Sequence, residues 1–175
     1  MPDTNITKSA LARSMKSLMA KKSFTKISVS DICDGCGMNR KSFYYHFKDK
    51  YDLMNWMFYT DFIAMVSSRS FESGWDLLES LGEIFYKDQD FYKNALKTEG
   101  QNSFRDYFME SMAPIVSYFF EDISDEYVDR DILMTLFCDG YLSAVTRWLD
   151  KGCTITPKEL VNHIRKMAKV VAESV

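Results

Sequence analysis

"CDGCGMNRKSFYYHFKDK", residues 33–50, carries two chemistries that exclude each other. Cys33 and Cys36 form a C-x-x-C, a spacing able to hold a metal or pass electrons. Beyond Gly37 the same stretch turns basic and aromatic, with Arg40 and Lys41 ahead of Phe43, Tyr44, Tyr45, His46 and Phe47. The choice between the two readings orders the rest of the chain.

A structural zinc site needs about four soft or imidazole ligands, usually in two paired motifs. Cys138 and Cys153 stand fifteen positions apart, and His46 and His163 complete no set with them. A redox C-x-x-C favours the start of a helix, where the dipole stabilises a thiolate. Here the pair falls at a helix end, around Gly35 and before Gly37, so packing is the expected role. A redox-responsive pair remains the alternative. No metal or cofactor is expected.

The other reading draws on several features. Ser28 with Asp31 three residues on opens a short helix, which Gly35 and Gly37 stop within two turns. Asn39 caps a second helix to about Phe47. Ile27, Ile32, Cys36, Met38, Phe43 and Phe47 supply a small apolar core that fixes the angle of the pair. Arg40, Lys41, Ser42, Tyr44, Tyr45 and His46 are left facing outward. Arginine can bond a guanine edge bidentately, and hydroxyls and lysines suit phosphate oxygens. The spacing predicts a helix-turn-helix.

Composition agrees. Residues 1–55 carry ten Lys+Arg and five Asp+Glu, or +5; residues 56–175 carry twelve and twenty, or −8, summing to the net −3. A basic end on an acidic body fits a polyanionic partner. With 7 Gly and 3 Pro in 175 residues, turns are scarce and an all-β fold is disfavoured. No apolar run reaches a membrane span, and the first residues are too polar for a signal peptide, so the expected location is cytoplasmic.

Helical periodicity predicts an all-α chain of about nine helices. A first helix, capped by Thr4 or Asn5, reaches about Lys22 with Leu11, Met15 and Leu18 on one face. Others follow at about 48–69, 74–88, 89–98 and 103–121, where Pro114 should kink the last or start a new helix. The segment 126–150 repeats Leu133, Phe137, Gly140, Ala144 and Trp148, and ends at Gly152. Thr156, Pro157 and Glu159 open the final helix, whose stripe is Leu160, Ile164, Met167 and Val171.

"ISVSDICDGCGMNRKSFYYHFKDKYDLM" resembles the DNA-binding domain of TetR-family bacterial transcriptional regulators. That pattern has a capped helix, a small turn, a helix ending Phe-Tyr-x-His-Phe, then Lys-x-Lys and an aliphatic residue. "RWLDKGCTITPKEL" is similar to the family's junction between its last two helices. The short body with "NWMFYTDF" resembles the branch of dihydroxyacetone kinase operon activators. The resemblance implies a helix-turn-helix domain over 1–50 and a helical regulatory and dimerisation domain over 51–175. It implies phosphate contacts from Ser28 and Ser30, a base-facing side of Arg40, Lys41, Ser42 and Tyr45, further phosphate contacts from Tyr44, His46 and Lys50, and Asn39 among the DNA-binding residues. It also implies a homodimer on a double-stranded, pseudo-palindromic operator, bound at the bacterial nucleoid and controlled by a small-molecule effector or a co-regulator protein.

For the dimer, the last two helices are the expected interface, through Gly140, Ala144, Trp148, Ile164, Met167 and Val171. Trp56, Tyr59, Phe62, Phe85, Tyr86, Tyr107, Phe108, Met112 and Tyr118 either line an effector pocket with hydroxyl handles or form plain core. "FYKDQDFYKNAL" and the acidic "FFEDISDEYVDRD" could receive a partner protein. No nucleophile–base set, P-loop or dinucleotide fingerprint appears, so an enzyme is not expected. A helical adaptor that binds protein without DNA is the other alternative.

Overall fold

The computed structural model describes residues 4–98, 103–119 and 129–173. Among the described residues there are nine α-helices and no strand. They are α1 (Thr4–Met19), α2 (Val29–Asp34), α3 (Arg40–His46), α4 (Lys50–Ser68), α5 (Gly74–Lys87), α6 (Gln89–Ala95), α7 (Phe104–Phe119), α8 (Arg130–Asp150) and α9 (Pro157–Ala172). The expected all-α class stands. α1 stops at Met19, short of Lys22, and a 3₁₀ turn at Phe24–Lys26 fills the gap before α2. Pro114 lies inside α7 and starts no new helix.

The chain forms two compact units. The first comprises Met1–Asp61 and Asp90–Tyr107; the second comprises Phe62–Gln89 and Phe108–Val175. The domain boundary expected at 50/51 falls where α4 begins, and the first compact unit runs past it to residue 61.

In the first unit, Leu11, Met15 and Met19 of α1 are buried against Ile32 and Cys33 of α2 and Phe43 of α3. Ile27, Ile32, Phe43 and Phe47 are buried as expected; Cys36 and Met38 are only half-buried, and Cys33 takes the interior place. α6 belongs to this unit, and the Asn94 amide donates to the Met19 carbonyl at 2.6 Å at the end of α1. Phe58, Tyr92 and Phe104 pack edge-on or tilted about it, with ring centroids 5.3–6.4 Å apart.

One buried bond sets the approach of α1 to α2. Ser14 Oγ donates to the Ile32 carbonyl at 2.7 Å. Gly35 has ordinary right-handed backbone, with φ −64° and ψ −15°, so it is not there for a turn. A Cβ at that position would overlap Ser14 Oγ, while Ser14 Cβ would stand at an ordinary 3.5 Å. Gly35→Ala should therefore displace the hydroxyl and cost about 1–3 kcal/mol, because the Ile32 carbonyl then keeps only the weak Cys36 thiol donor at 3.4 Å. In a Ser14→Ala background the same change should cost little. Urea unfolding of the two single variants and the double variant measures the coupling; strictly additive costs would overturn the account.

The second unit is built on α5. Its N-cap, Ser73, accepts from the Asp76 amide, and Leu77, Leu78, Leu81 and Phe85 turn inward against α8 and α9. Tyr141 of α8 is buried and donates its hydroxyl to the Leu78 carbonyl at 2.9 Å. Burial pushes that phenol well above its ordinary pKa, so the donor proton stays on. The inward stripe of α8 is Cys138, Tyr141, Leu142, Val145, Trp148 and Leu149. The stripe expected from the sequence is rotated from this: Phe137 and Ala144 are half-buried, Gly140 faces outward, and the side chain of Leu133 lies outside the described residues. Apolar residues occupy both faces of α8, so periodicity alone cannot orient it. α9 opens as expected, Thr156 and Glu159 exchanging side-chain-to-backbone bonds at 2.8 and 3.2 Å.

Candidate nucleic-acid interface

Two caps set the angle of the helix pair. Ser28 Oγ accepts from the Asp31 amide, and Asp31 Oδ2 accepts from the Ser28 amide at 2.8 Å, a reciprocal capping box. The Ser28 amide and hydroxyl, with Lys22 at 3.1 Å, hold the Asp31 carboxyl down at about 2. A tight turn follows, in which the Met38 amide reaches back to the Cys33 carbonyl at 2.9 Å. Gly37 sits at φ +67°, left-handed backbone that favours glycine. Asn39 then caps α3, its Oδ1 accepting from the Ser42 amide at 2.8 Å and the Ser42 hydroxyl at 3.1 Å.

α3 turns Phe43 fully inward and leaves the opposite side to solvent. Arg40 and Lys41 are exposed, Tyr44 is 50% exposed and Tyr45 is 80% exposed. Tyr44 and Tyr45 thus keep two phenol hydroxyls open to solvent beside the Arg40 and Lys41 charges. The Arg40 guanidinium lies 5.8 Å from the Tyr44 ring and 3.4 Å from its hydroxyl, so the two side chains brace each other. The Tyr44 hydroxyl also raises the Arg40 pKa, keeping it cationic. His46 is half-buried, edge-on to Tyr45 at 4.9 Å. Ser42 and Ser30 are half-buried, and Ser28 is exposed with its hydroxyl already on Asp31.

Lys50 departs from expectation. Its ammonium turns into the unit and donates to the carbonyls of Phe24 at 2.9 Å, Thr25 at 3.3 Å and Ile27 at 2.7 Å. It also lies 4.5 Å from the Phe24 ring. All three protons have acceptors, and burial pulls its pKa down. A phosphate contact would require the ammonium to leave these carbonyls; in this structure Lys50 clips the Phe24–Ile27 turn from inside. Lys48, absent from the expected contacts, is exposed at the corner between α3 and α4. Only its charge could have signalled it.

The cysteines behave as packing residues. Burial raises the pKa of both Cys33 and Cys36, and Cys36 Sγ donates to the carbonyls of Ile32 and Cys33 at 3.4 Å each. Neither is poised as a thiolate.

The aromatic set divides between the units. Trp56, Tyr59 and Tyr107 belong to the first; Phe62, Phe85, Tyr86, Phe108 and Met112 belong to the second. The Tyr118 side chain lies outside the described residues, as does most of the acidic 119–131 segment. Phe62, Phe85, Phe108 and Met112 are buried, with Phe108 stacked on Tyr141 at 6.4 Å.

Of the residues expected at a dimer interface, Gly140 and Met167 are exposed and Ala144 and Ile164 are half-buried. The Val171 side chain lies outside the described residues. Trp148 is corrected to core: its indole stacks on Tyr86 at 5.9 Å, and its Nε1 donates to the Ile155 carbonyl at 2.8 Å. Exposed apolar residues that were not anticipated lie beside this face, Ile132 and Leu136 on α8 and Val170 on α9.

Known proteins match at both ends of the chain. A family model for bacterial regulatory proteins of the tetR family matches residues 16–56, and one for a transcriptional regulator C-terminal region matches residues 75–170. The HTH-type dhaKLM operon transcriptional activator DhaS of Lactococcus lactis subsp. lactis (strain IL1403) is 25% identical over 173 residues, covering 95% of this chain and 87% of the relative. The fold is similar to the solved dihydroxyacetone kinase operon activator DhaS, with TM-score 0.64, 22% identity and 93% of each chain covered. It is also similar to NalD, the secondary repressor of the MexAB-OprM multidrug efflux pump in Pseudomonas aeruginosa, with TM-score 0.66, 16% identity and 95% of each chain. FadR from Bacillus subtilis in complex with stearoyl-CoA gives TM-score 0.67 at 12% identity, over 91% of this chain and 96% of that one. With its helix-turn-helix and its C-terminal helices each matched, the chain belongs to the TetR family of bacterial transcriptional regulators.

Proposed function

We propose that the chain works as a cytoplasmic homodimer that binds a pseudo-palindromic operator through α2 and α3 of each copy, and that it binds without catalysing. The observation that carries this is the outward side of α3, where Arg40, Lys41, Tyr44 and Tyr45 stand exposed on a helix whose other side is locked by Phe43. The seven residues of α3 span only about 10 Å, roughly three base pairs. Two copies, about one DNA turn apart, give useful specificity. Support for the dimer comes from the exposed Ile132, Leu136, Met167 and Val170 on α8 and α9.

Control by an effector in the second unit rests on the family and on relatives such as FadR, solved with stearoyl-CoA. The test of the whole reading is a gel shift on the DNA upstream of the protein's own gene. A discrete complex that resists random competitor supports it; smearing on any DNA, or no shift, would leave an adaptor.

Arg40→Ala should cost about 1–3 kcal/mol at the operator and relax preference at one base position. Lys48→Ala, removing a backbone-facing charge, should weaken all DNA alike and lower the salt slope by about one. Competition titrations across single-base operator variants separate the two. Equal losses on operator and random DNA for Arg40→Ala would remove it from base readout.

A further inference from the structure

The first unit contains a cleft outside the residues expected to meet DNA. It has a volume of about 180 Å³ and lies between α1 and α4, with Ser9, Arg13 and Lys16 on one wall and Trp56, Met57 and Asp61 on the other. Volume limits the occupant. Pockets for drug-sized or acyl-chain ligands run to about 300–1,000 Å³, so the cleft suits a single ring and one small substituent.

Chemistry narrows it further. The walls bring two cations against one carboxylate, and the Lys8 ammonium lies 5.4 Å from the Trp56 ring, adding a third positive charge beside the cleft. Lys16 and Asp61 face each other at 3.7 Å, and the Lys16 ammonium also lies 5.9 Å from the Phe91 ring. Arg13 is exposed and offers the planar fork that binds carboxylates bidentately. Trp56 and Met57 provide an aromatic face and a soft thioether, both good partners for a ring.

We propose that this cleft binds a small aromatic carboxylate, the ring against Trp56 and Met57 and the carboxylate between Arg13 and Lys16. The site is separate from any effector pocket of the second unit, and its test needs neither operator nor effector. The full-length ¹⁵N-labelled protein is titrated with benzoate, benzamide and inorganic phosphate while the Trp56 indole N–H resonance, assigned by its loss in Trp56→Phe, is followed. Benzoate should shift it saturably with a Kd near or below about 1 mM. Benzamide, which lacks the charge, should bind about tenfold more weakly, as should benzoate to Arg13→Gln or Lys16→Gln. Asp61→Asn should tighten benzoate, a gain that loss of structure would not produce. No saturable shift with benzoate, equal binding of benzamide, or indifference to both cation variants would overturn the site. Phosphate binding as tightly as benzoate would reduce it to a bare cationic patch and overturn the aromatic assignment.

Discussion

The double variant Leu136→Glu with Met167→Glu should sediment as a monomer with unchanged helical circular dichroism, and its operator affinity should fall by at least about 100-fold. Both side chains are 68% exposed in the single chain, so neither glutamate disturbs a core. Burying a leucine or methionine fully is worth about 1.5–3 kcal/mol, and a dimer would bury both twice over. Charges placed there lose that gain and add like-charge repulsion in a two-fold interface, where each residue recurs. DNA binding then drops because each half-site alone relies on one short helix, and a 100-fold loss corresponds to only about 2.7 kcal/mol. Gly140→Trp is a useful companion. Nothing stands within 4 Å of a Cβ at Gly140, so the isolated chain accepts the ring and only a partner helix would object. A double variant that remains dimeric would move the interface off these two helices.

What could be read from the sequence was what depends on near neighbours. The caps at Ser28, Asn39 and Thr156 each close within three residues, and all three are in place. The inward Phe43 and outward Tyr45 of α3 follow from one helical turn around a known cap. What escaped depends on distant partners. Lys50 looked like another cation of a basic segment, but its acceptors lie 23 to 26 positions upstream, in a 3₁₀ turn that no Gly or Pro announces. Trp148 repeats in step with Gly140 and Ala144, yet Tyr86 and the Ile155 carbonyl hold it inside. α6 belongs with the N-terminal helices, and its amide bond to α1 spans 75 positions, which periodicity does not register. The α1–α4 cleft is of the same kind, since its two walls lie some forty residues apart in sequence.

Lys50→Met should lower the unfolding free energy by about 2–3 kcal/mol while leaving the salt dependence of DNA binding unchanged. The methionine keeps the apolar stem and removes the ammonium, so the Phe24, Thr25 and Ile27 carbonyls lose a shared charged donor. Bonds to charged groups are worth about 1.5–3 kcal/mol each, but Lys50 is only half-buried and water can replace part of the loss, which brings three bonds down to the stated range. A phosphate contact makes the opposite forecast. It would leave stability almost untouched and reduce the slope of log affinity against log salt by about one. Lys50→Arg sharpens the contrast, because it retains the charge but replaces a tetrahedral donor with a planar fork. The fork cannot converge on three carbonyls of one tight turn, so Lys50→Arg should also be destabilised, whereas a phosphate would accept it readily. Urea denaturation of the three proteins, with binding measured across a salt series at a temperature where all remain folded, distinguishes the two roles. A stable Lys50→Arg with wild-type binding, beside a Lys50→Met whose salt slope has dropped, would return Lys50 to the DNA interface.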